Sequence, residues 1–223
     1  KHLSDDELKK LTKITTPTAY SYTLYDEIGR IIEVGEMITS ATTTLPLSGK
    51  YESQINYSAF KDFVTSNYKR QITNTYYDAP AFTVNWEGKN IAQRNLRTRV
   101  ATVAFTPNGE DANYQSATHY SYDIHGNVNT FVVEIKNSGA TPLLGGVGGG
   151  SLTKKINYDY DLISGKVNTV TYQSGQSDQF IHRYEYDSDN RITKVFTSKD
   201  GVIWDNDAQY QYYAHGPLAR TIT

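Results

Sequence analysis

Tyr158-Asp159-Tyr160-Asp161-Leu162-Ile163-Ser164-Gly165-Lys166-Val167 decides the reading of the chain. Tyrosines alternate with polar residues, the period of a strand that packs one face. An Asp opens a short loop, a Gly closes it, and a Val begins the return. An Asp in that position accepts hydrogen bonds from backbone amides two residues on. A Gly at the loop end supplies the positive φ with which the chain re-enters the sheet as a bulge. The stretch is therefore a β-hairpin corner.

The same device recurs. Tyr120-Ser121-Tyr122-Asp123 is followed by Gly126-Asn127-Val128, and Tyr184-Glu185-Tyr186-Asp187 by Asn190-Arg191-Ile192. Asn190 fills the Gly slot, the natural substitute where φ is positive. Tyr210-Gln211-Tyr212-Tyr213 precedes Gly216-Pro217-Leu218, with Tyr213 in the Asp slot. Earlier, Tyr25-Asp26-Glu27-Ile28-Gly29-Arg30 leads to Ile31, Ile32 and Val34, and Tyr76-Tyr77-Asp78 is broken by Pro80. Tyr25, Tyr77, Tyr122, Tyr160, Tyr186 and Tyr212 are spaced by 52, 45, 38, 26 and 26 residues. A period in the twenties, with earlier insertions, is the mark of units that cannot bury their own faces and stack on neighbours.

The two tyrosines of a late unit lie two apart and share a face. Ile156 joins Tyr158 and Tyr160; His182 joins Tyr184 and Tyr186. The opposite face carries Lys155, Asn157 and Asp159, then Arg183 and Glu185. The returning arms read Val128/Phe131, Val167/Val170, Ile192/Val195 and Ile31/Val34. A spacing of three breaks alternation, so either both faces are partly buried or a bulge separates the two positions.

Elsewhere the text is more varied. Ser4-Asp5-Asp6-Glu7 ahead of Leu8 and Leu11 is a capping-box start to a short helix, within a lead-in over residues 1–16. The sheet region runs over 17–223, interrupted by an insertion at 40–67 with Pro46 and Gly49 in a loop. Within it, Tyr57 to Phe63 predicts a second short helix, because Phe60, Phe63 and Val64 fall at helical spacing. Strand character resumes at Arg70, and Leu96 to Phe105 predicts one long strand or two joined by a bulge. Asn108-Gly109-Glu110-Asp111 is a turn. The Gly-rich stretch 139–151 reads as a long hairpin loop inside one sheet.

The composition narrows the functions. The chain has 223 residues, with 19 Tyr against 7 Phe and 2 Trp, a balance suited to half-buried sheet whose hydroxyls stay wet. A net charge of −2 gives no electrostatic case for nucleic acid or an anionic membrane. Without cysteine there are no disulfides and no thiolate metal sites. No apolar run approaches the roughly 18 residues of a membrane span. The chain begins at Lys1 and closes on strand-like Arg220-Thr221-Ile222-Thr223, which predicts a piece of a longer polypeptide.

The chemistry-bearing residues look structural. His125 and His215 occupy the same slot before a loop Gly, so a turn role outweighs a metal or acid–base pair. Asp26, Asp78, Asp123, Asp161 and Asp187 recur at five of the six corners, whereas catalysis by paired carboxylates needs one special pair. Gly145 to Gly150 lacks the Lys-Ser/Thr of a phosphate loop. Trp86 and Trp204, taken as exposed, are the candidate glycan contacts. No catalytic residue, metal ligand or cofactor is expected, and the chain is read as a non-enzyme.

These residues resemble the RHS/YD-repeat family, whose unit is Tyr-x-Tyr-Asp, a short loop, Gly, Arg or Asn, an aliphatic residue and more strand. The resemblance covers most of 18–223, and the wording Tyr160-Asp161-Leu162-Ile163-Ser164-Gly165-Lys166-Val167-Asn168 is similar to long RHS-repeat proteins of Bacteroidetes-type bacteria. It implies a mostly all-β fold: antiparallel YD-repeat hairpins in a curved, spiralling shell segment, with one or two short helices toward the N-terminus. The repeat-motif residues carried over are Tyr25, Asp26, Gly29, Tyr77, Asp78, Tyr122, Asp123, Gly126, Tyr160, Asp161, Gly165, Tyr186, Asp187, Asn190, Tyr212 and Gly216.

The resemblance further implies a bacterial shell or surface protein that encloses, carries or displays a partner, a toxic C-terminal domain among them. Its partners would be the remaining repeats or neighbouring assembly subunits, with no nucleic acid and no membrane span. It would lie outside the cell or on its surface, exported as part of a longer chain. A carbohydrate-binding module using sheet aromatics is the alternative. Six units are too few to close a shell alone, and the family's self-cleaving aspartate segment has no match here.

Overall fold

The computed structural model describes residues 19–38, 57–109, 113–136 and 151–223. The capping-box helix, the 1–16 lead-in, the loop around Pro46 and Gly49, Glu110-Asp111 and the glycines of 139–150 lie outside the described residues. The chain divides into two compact units, Lys1–Thr75 with Ala104–Gln115, and Tyr76–Val103 with Ser116–Thr223.

In the first unit, strand β1 (Ala19–Tyr25) pairs antiparallel with β2 (Ile31–Ile38), and β2 with β3 (Tyr68–Tyr77), which runs two residues into the second unit. Helix α1 (Tyr57–Ser66) follows the predicted spacing: Phe60, Phe63 and Val64 share a face, and Val64 is fully buried. They pack with Tyr22, Leu24 and Met37 into one cluster, also touched by Tyr20 and Ile32. Burying an aliphatic side chain of this size stabilises the fold by about 1.5–3 kcal/mol. The rim is ionic: Glu33 accepts from the Tyr22 hydroxyl at 2.7 Å and from Lys69 Nζ at 2.8 Å. β3 opens at Tyr68, two residues before the predicted start.

The second unit begins with an excursion. It holds the small hairpin β4 (Val84–Trp86) and β5 (Lys89–Ile91) and ends at β6 (Val100–Asn108), which crosses into the first unit. The strand predicted from Leu96 therefore starts at Val100. Leu96 is buried in the preceding loop, where Asn95 and Thr98 adopt positive φ. Eight strands follow in chain order: β7 (Ser116–Tyr122), β8 (Val128–Lys136), β9 (Ser151–Tyr160), β10 (Val167–Tyr172), β11 (Phe180–Tyr186), β12 (Ile192–Ser198), β13 (Asp205–Tyr212) and β14 (Leu218–Ile222). Each pairs antiparallel with its neighbours in sequence, as expected of an all-β hairpin sheet.

The spacing of three on the return arms is a bulge. Tyr186 pairs with Ile192 and Glu185 with Lys194, so Thr193 has no partner of its own. Val195 then faces Tyr184, which restores Ile192 and Val195 to the tyrosine side. Ile32, Asn129, Asn168 and Ala219 are skipped in the same way after the turns of their hairpins. One extra residue per return arm is thus a regular part of the unit.

Candidate functional site

The candidate site is the repeated corner. Asp187 Oδ1 accepts from the amides of Asp189 and Arg191, both at 2.9 Å, and Oδ2 accepts from Arg191 Nε at 2.8 Å. Asp123 does the same with His125, Asn127 and the Asn127 side chain, and Asp26 with Ile28, Arg30 and the Arg30 guanidinium. Gly29, Gly126 and Asn190 hold the positive φ three residues after the Asp. Asp161 serves a loop one residue longer, accepting from the Ser164 amide and hydroxyl, with Gly165 at positive φ. Tyr213 keeps the backbone pattern without a carboxylate: its amide donates to Pro217 and it accepts from Gly216.

These bonds stabilise the charged carboxylate. The Arg191 amide above all holds Asp187 below the usual carboxylate range, and the Ser164 amide does so for Asp161. At Asp26 and Asp123 burial pushes upward, and the combined bonds to the loop outweigh it.

Asp78 shows what an insertion does to a corner. Its amide donates to the Arg99 carbonyl at 3.1 Å, as Asp187 does to Arg191, and its Oδ1 accepts from the Thr98 amide at 2.6 Å. Arg99 and Val100 occupy the slots of Arg191 and Ile192, and residues 79–98 are spliced between. This excursion lies against β7 to β9 within its unit. Gln93 Nε2 donates to the carbonyls of Ala101 and Tyr120, the Arg94 amide to Ser121 Oγ, and Trp86 Nε1 to Gln173 Oε1 at 3.1 Å.

In four repeats the second tyrosine ties its hairpin to the one before. The hydroxyls of Tyr122, Tyr160, Tyr186 and Tyr212 donate to the carbonyls of Val100, Val128, Val167 and Ile192, at 2.8–2.9 Å. Each acceptor is the first residue of the preceding return arm. The turn arginine completes the joint: Arg191 lies 4.6 Å over the Tyr212 ring while bonded to Asp187, and Arg99 lies 5.5 Å over Tyr122. Burial raises the phenol pKa of Tyr122, Tyr160 and Tyr186. Along the same face Tyr120, Phe131, Tyr158 and Tyr160 make successive ring contacts with centroids 6.1–6.3 Å apart.

The structure places His125 and His215 inside corners as turn residues and does not bring their rings together. His125 is an exposed turn residue, and the His215 ring stacks on Tyr213 at 5.4 Å. Neither tryptophan is exposed. Lys155 Nζ sits 4.0 Å over the half-buried Trp86, and Arg183 sits 4.4 Å over the half-buried Trp204, whose Nε1 donates to Gly201. Among the described residues no group of three or more His, Asp or Glu could hold a metal ion.

Sequence reasoning missed His119 and Gln173. His119 is 2% exposed, bonded through Nδ1 to Thr102 Oγ1 at 3.0 Å and 3.6 Å from Glu134. Gln173, also buried, accepts from both Trp86 and the Lys155 amide. Neither stands in a repeated slot, so the period carries no signal for them.

The chain matches no family model and no curated protein sequence. Its fold is similar to that of solved TcdB2-TccC3 chains. With TcdB2-TccC3 without its hypervariable C-terminal region it shares 13% identity over 91% of this chain, at a TM-score of 0.54. With TcdB2-TccC3-Cdc42 it shares 13% identity over 93% of this chain, also at 0.54. The chain spans 8% of the length of either relative. The likeness is one of fold, and it supports an RHS-like arrangement of hairpins.

Proposed function

We propose that this chain is a non-catalytic structural segment of a larger RHS-type shell that encloses or carries a partner domain. The observation that carries the reading is the tyrosine-to-carbonyl joint. It joins successive hairpins, and four hairpins make it in the same way. Leu218 begins a return arm as Val167 and Ile192 begin theirs.

The fold likeness to TcdB2-TccC3, itself described with a hypervariable C-terminal region, supports a cargo-carrying reading. The Bacteroidetes-type wording at Tyr160–Asn168 suggests the kind of parent, and export to the surface or medium goes with the same reading. No described helix is long and apolar enough to cross a membrane. The alternative, glycan binding on sheet aromatics, is less favoured: Trp86 and Trp204 each give a ring face to a cation, and the tyrosines stack on one another.

The test is mass spectrometry and electron microscopy of the native polypeptide from cells and medium. Peptides of this chain within a much longer product that forms hollow particles bear the proposal out. A stable native product no longer than these 223 residues overturns it.

A further inference from the structure

We propose that the cavity between the 89–94 segment and strands β7 to β9 binds a small carboxylate that carries hydroxyl groups. The cavity measures about 390 Å³, toward the small end of ligand sites, and its lining includes Asn90, Arg94, Ser121, Asn129, Thr130 and Lys155. Among the described residues two cations line it and no carboxylate does.

Lys155 is half-buried on the sheet, held against the Trp86 ring by its ammonium. Among the described residues neither Lys155 nor Arg94 has an acidic partner. A cation drawn out of water without a counter-ion costs the fold energy, and an anion in the cavity offsets that cost. Burial, with Lys89 nearby, holds the Lys155 ammonium below the usual lysine range, as expected of an unpaired site.

The neutral groups specify the rest of the ligand. Asn129 borders the cavity with its Oδ1 buried away from solvent. Ser121 Oγ already accepts from the Arg94 amide, and Thr130 Oγ1 from Asn157 Nδ2, which leaves each hydroxyl proton to donate. Cations for a carboxylate and two hydroxyls that donate to ligand oxygens together describe a hydroxylated acid. Such an acid comes either free or as a uronic acid residue at the end of an oligosaccharide.

The experiment uses the full chain carrying Trp204→Phe, so that fluorescence reports Trp86 alone. Galacturonate, gluconate, a galacturonate oligomer and neutral glucose are titrated in turn. The proposal expects a saturable change with the carboxylates, weaker in salt, and none with glucose. Lys155→Met, which keeps the stem over Trp86, and the exposed Arg94→Gln each weaken binding at least tenfold. Tighter binding of the oligomer assigns the site to a polysaccharide acid, and tighter gluconate to a free one. No saturable response to either acid, an equal response to glucose, or unchanged affinity in Arg94→Gln overturns the proposal.

Discussion

The hydroxyl of Tyr186 donates to the main-chain carbonyl of Val167 at 2.8 Å and so fastens one hairpin to the one before it. Tyr186→Phe removes that bond and leaves the ring. Its expected cost is about 1 kcal/mol, the usual net worth of such a bond. Urea unfolding of Tyr186→Phe beside Tyr184→Phe measures it. Tyr184 shares the face without a comparable carbonyl bond among the described residues, so equal losses would refute the joint.

Asn190 holds its corner at a φ of 61°. Asn190→Gly is expected to change stability by a few tenths of a kcal/mol, because glycine enters this region freely. Asn190→Val is expected to lose about 1–2 kcal/mol, the penalty of a left-handed residue with a β-carbon. Thermal melts of the two variants decide, and a melt left unchanged by Asn190→Val would show that the corner relaxes.

Asp187 contributes through its charge and its acceptors together. Asp187→Asn keeps an acceptor for the Arg191 amide and loses the charge; Asp187→Ala loses both. The melting midpoint should therefore fall in the order wild type, Asn, Ala. Equal midpoints for all three would show that backbone bonds suffice, as they do around Tyr213.

Two pH windows follow. The folded pKa values of Asp161, Asp187 and Asp200 lie below the ordinary value, chiefly through the amides of Ser164, Arg191 and Ile203. Their stabilisation is complete above the unfolded carboxylate range near 4 and is lost as pH falls through the lowered values. His119 sets the second window. Burial lowers its pKa, against the opposing pull of Glu134 and with a smaller downward push from Lys136. The neutral ring is favoured by folding, so its contribution is complete above about 6.5 and declines as pH drops toward the lowered value. Unfolding curves between pH 7 and 5 should show that decline, and His119→Gln should flatten it.

A β-carbon on Gly35 would stand 2.7 Å from the Tyr22 hydroxyl oxygen and 3.0 Å from the ring. Gly35→Ala is expected to cost about 1–3 kcal/mol by displacing a buried ring and its bond to Glu33. In a Tyr22→Phe background the loss should shrink, since the nearest atom is gone. A double-mutant cycle by denaturant unfolding reads the coupling.

The corners were legible because every bond in them is local. Asp187 reaches only to Arg191, so residue types at fixed offsets suffice to predict the turn. The bulge at Thr193 was half legible: Ile192 and Val195 broke alternation, and only the register showed why. At Asp78 the opening of the corner was legible and its closure was not, because Arg99 closes it across 20 intervening residues and Leu96, apolar in sequence, serves the loop rather than a strand. The cavity was illegible for the same reason. Arg94, Asn129 and Lys155 come from three separate segments, and no period links them.

The order of the strands from β7 to β14 also bears on how the chain reaches this state. Each strand pairs only with its immediate predecessor and successor in sequence. The entropy of loop closure is then spent in small instalments, which favours rapid folding and growth outward from any hairpin that forms first. A chain threaded through a narrow exit can build this unit in the order in which it emerges. The excursion at 79–98 is the exception: its Trp86 must wait for Gln173, 87 residues later.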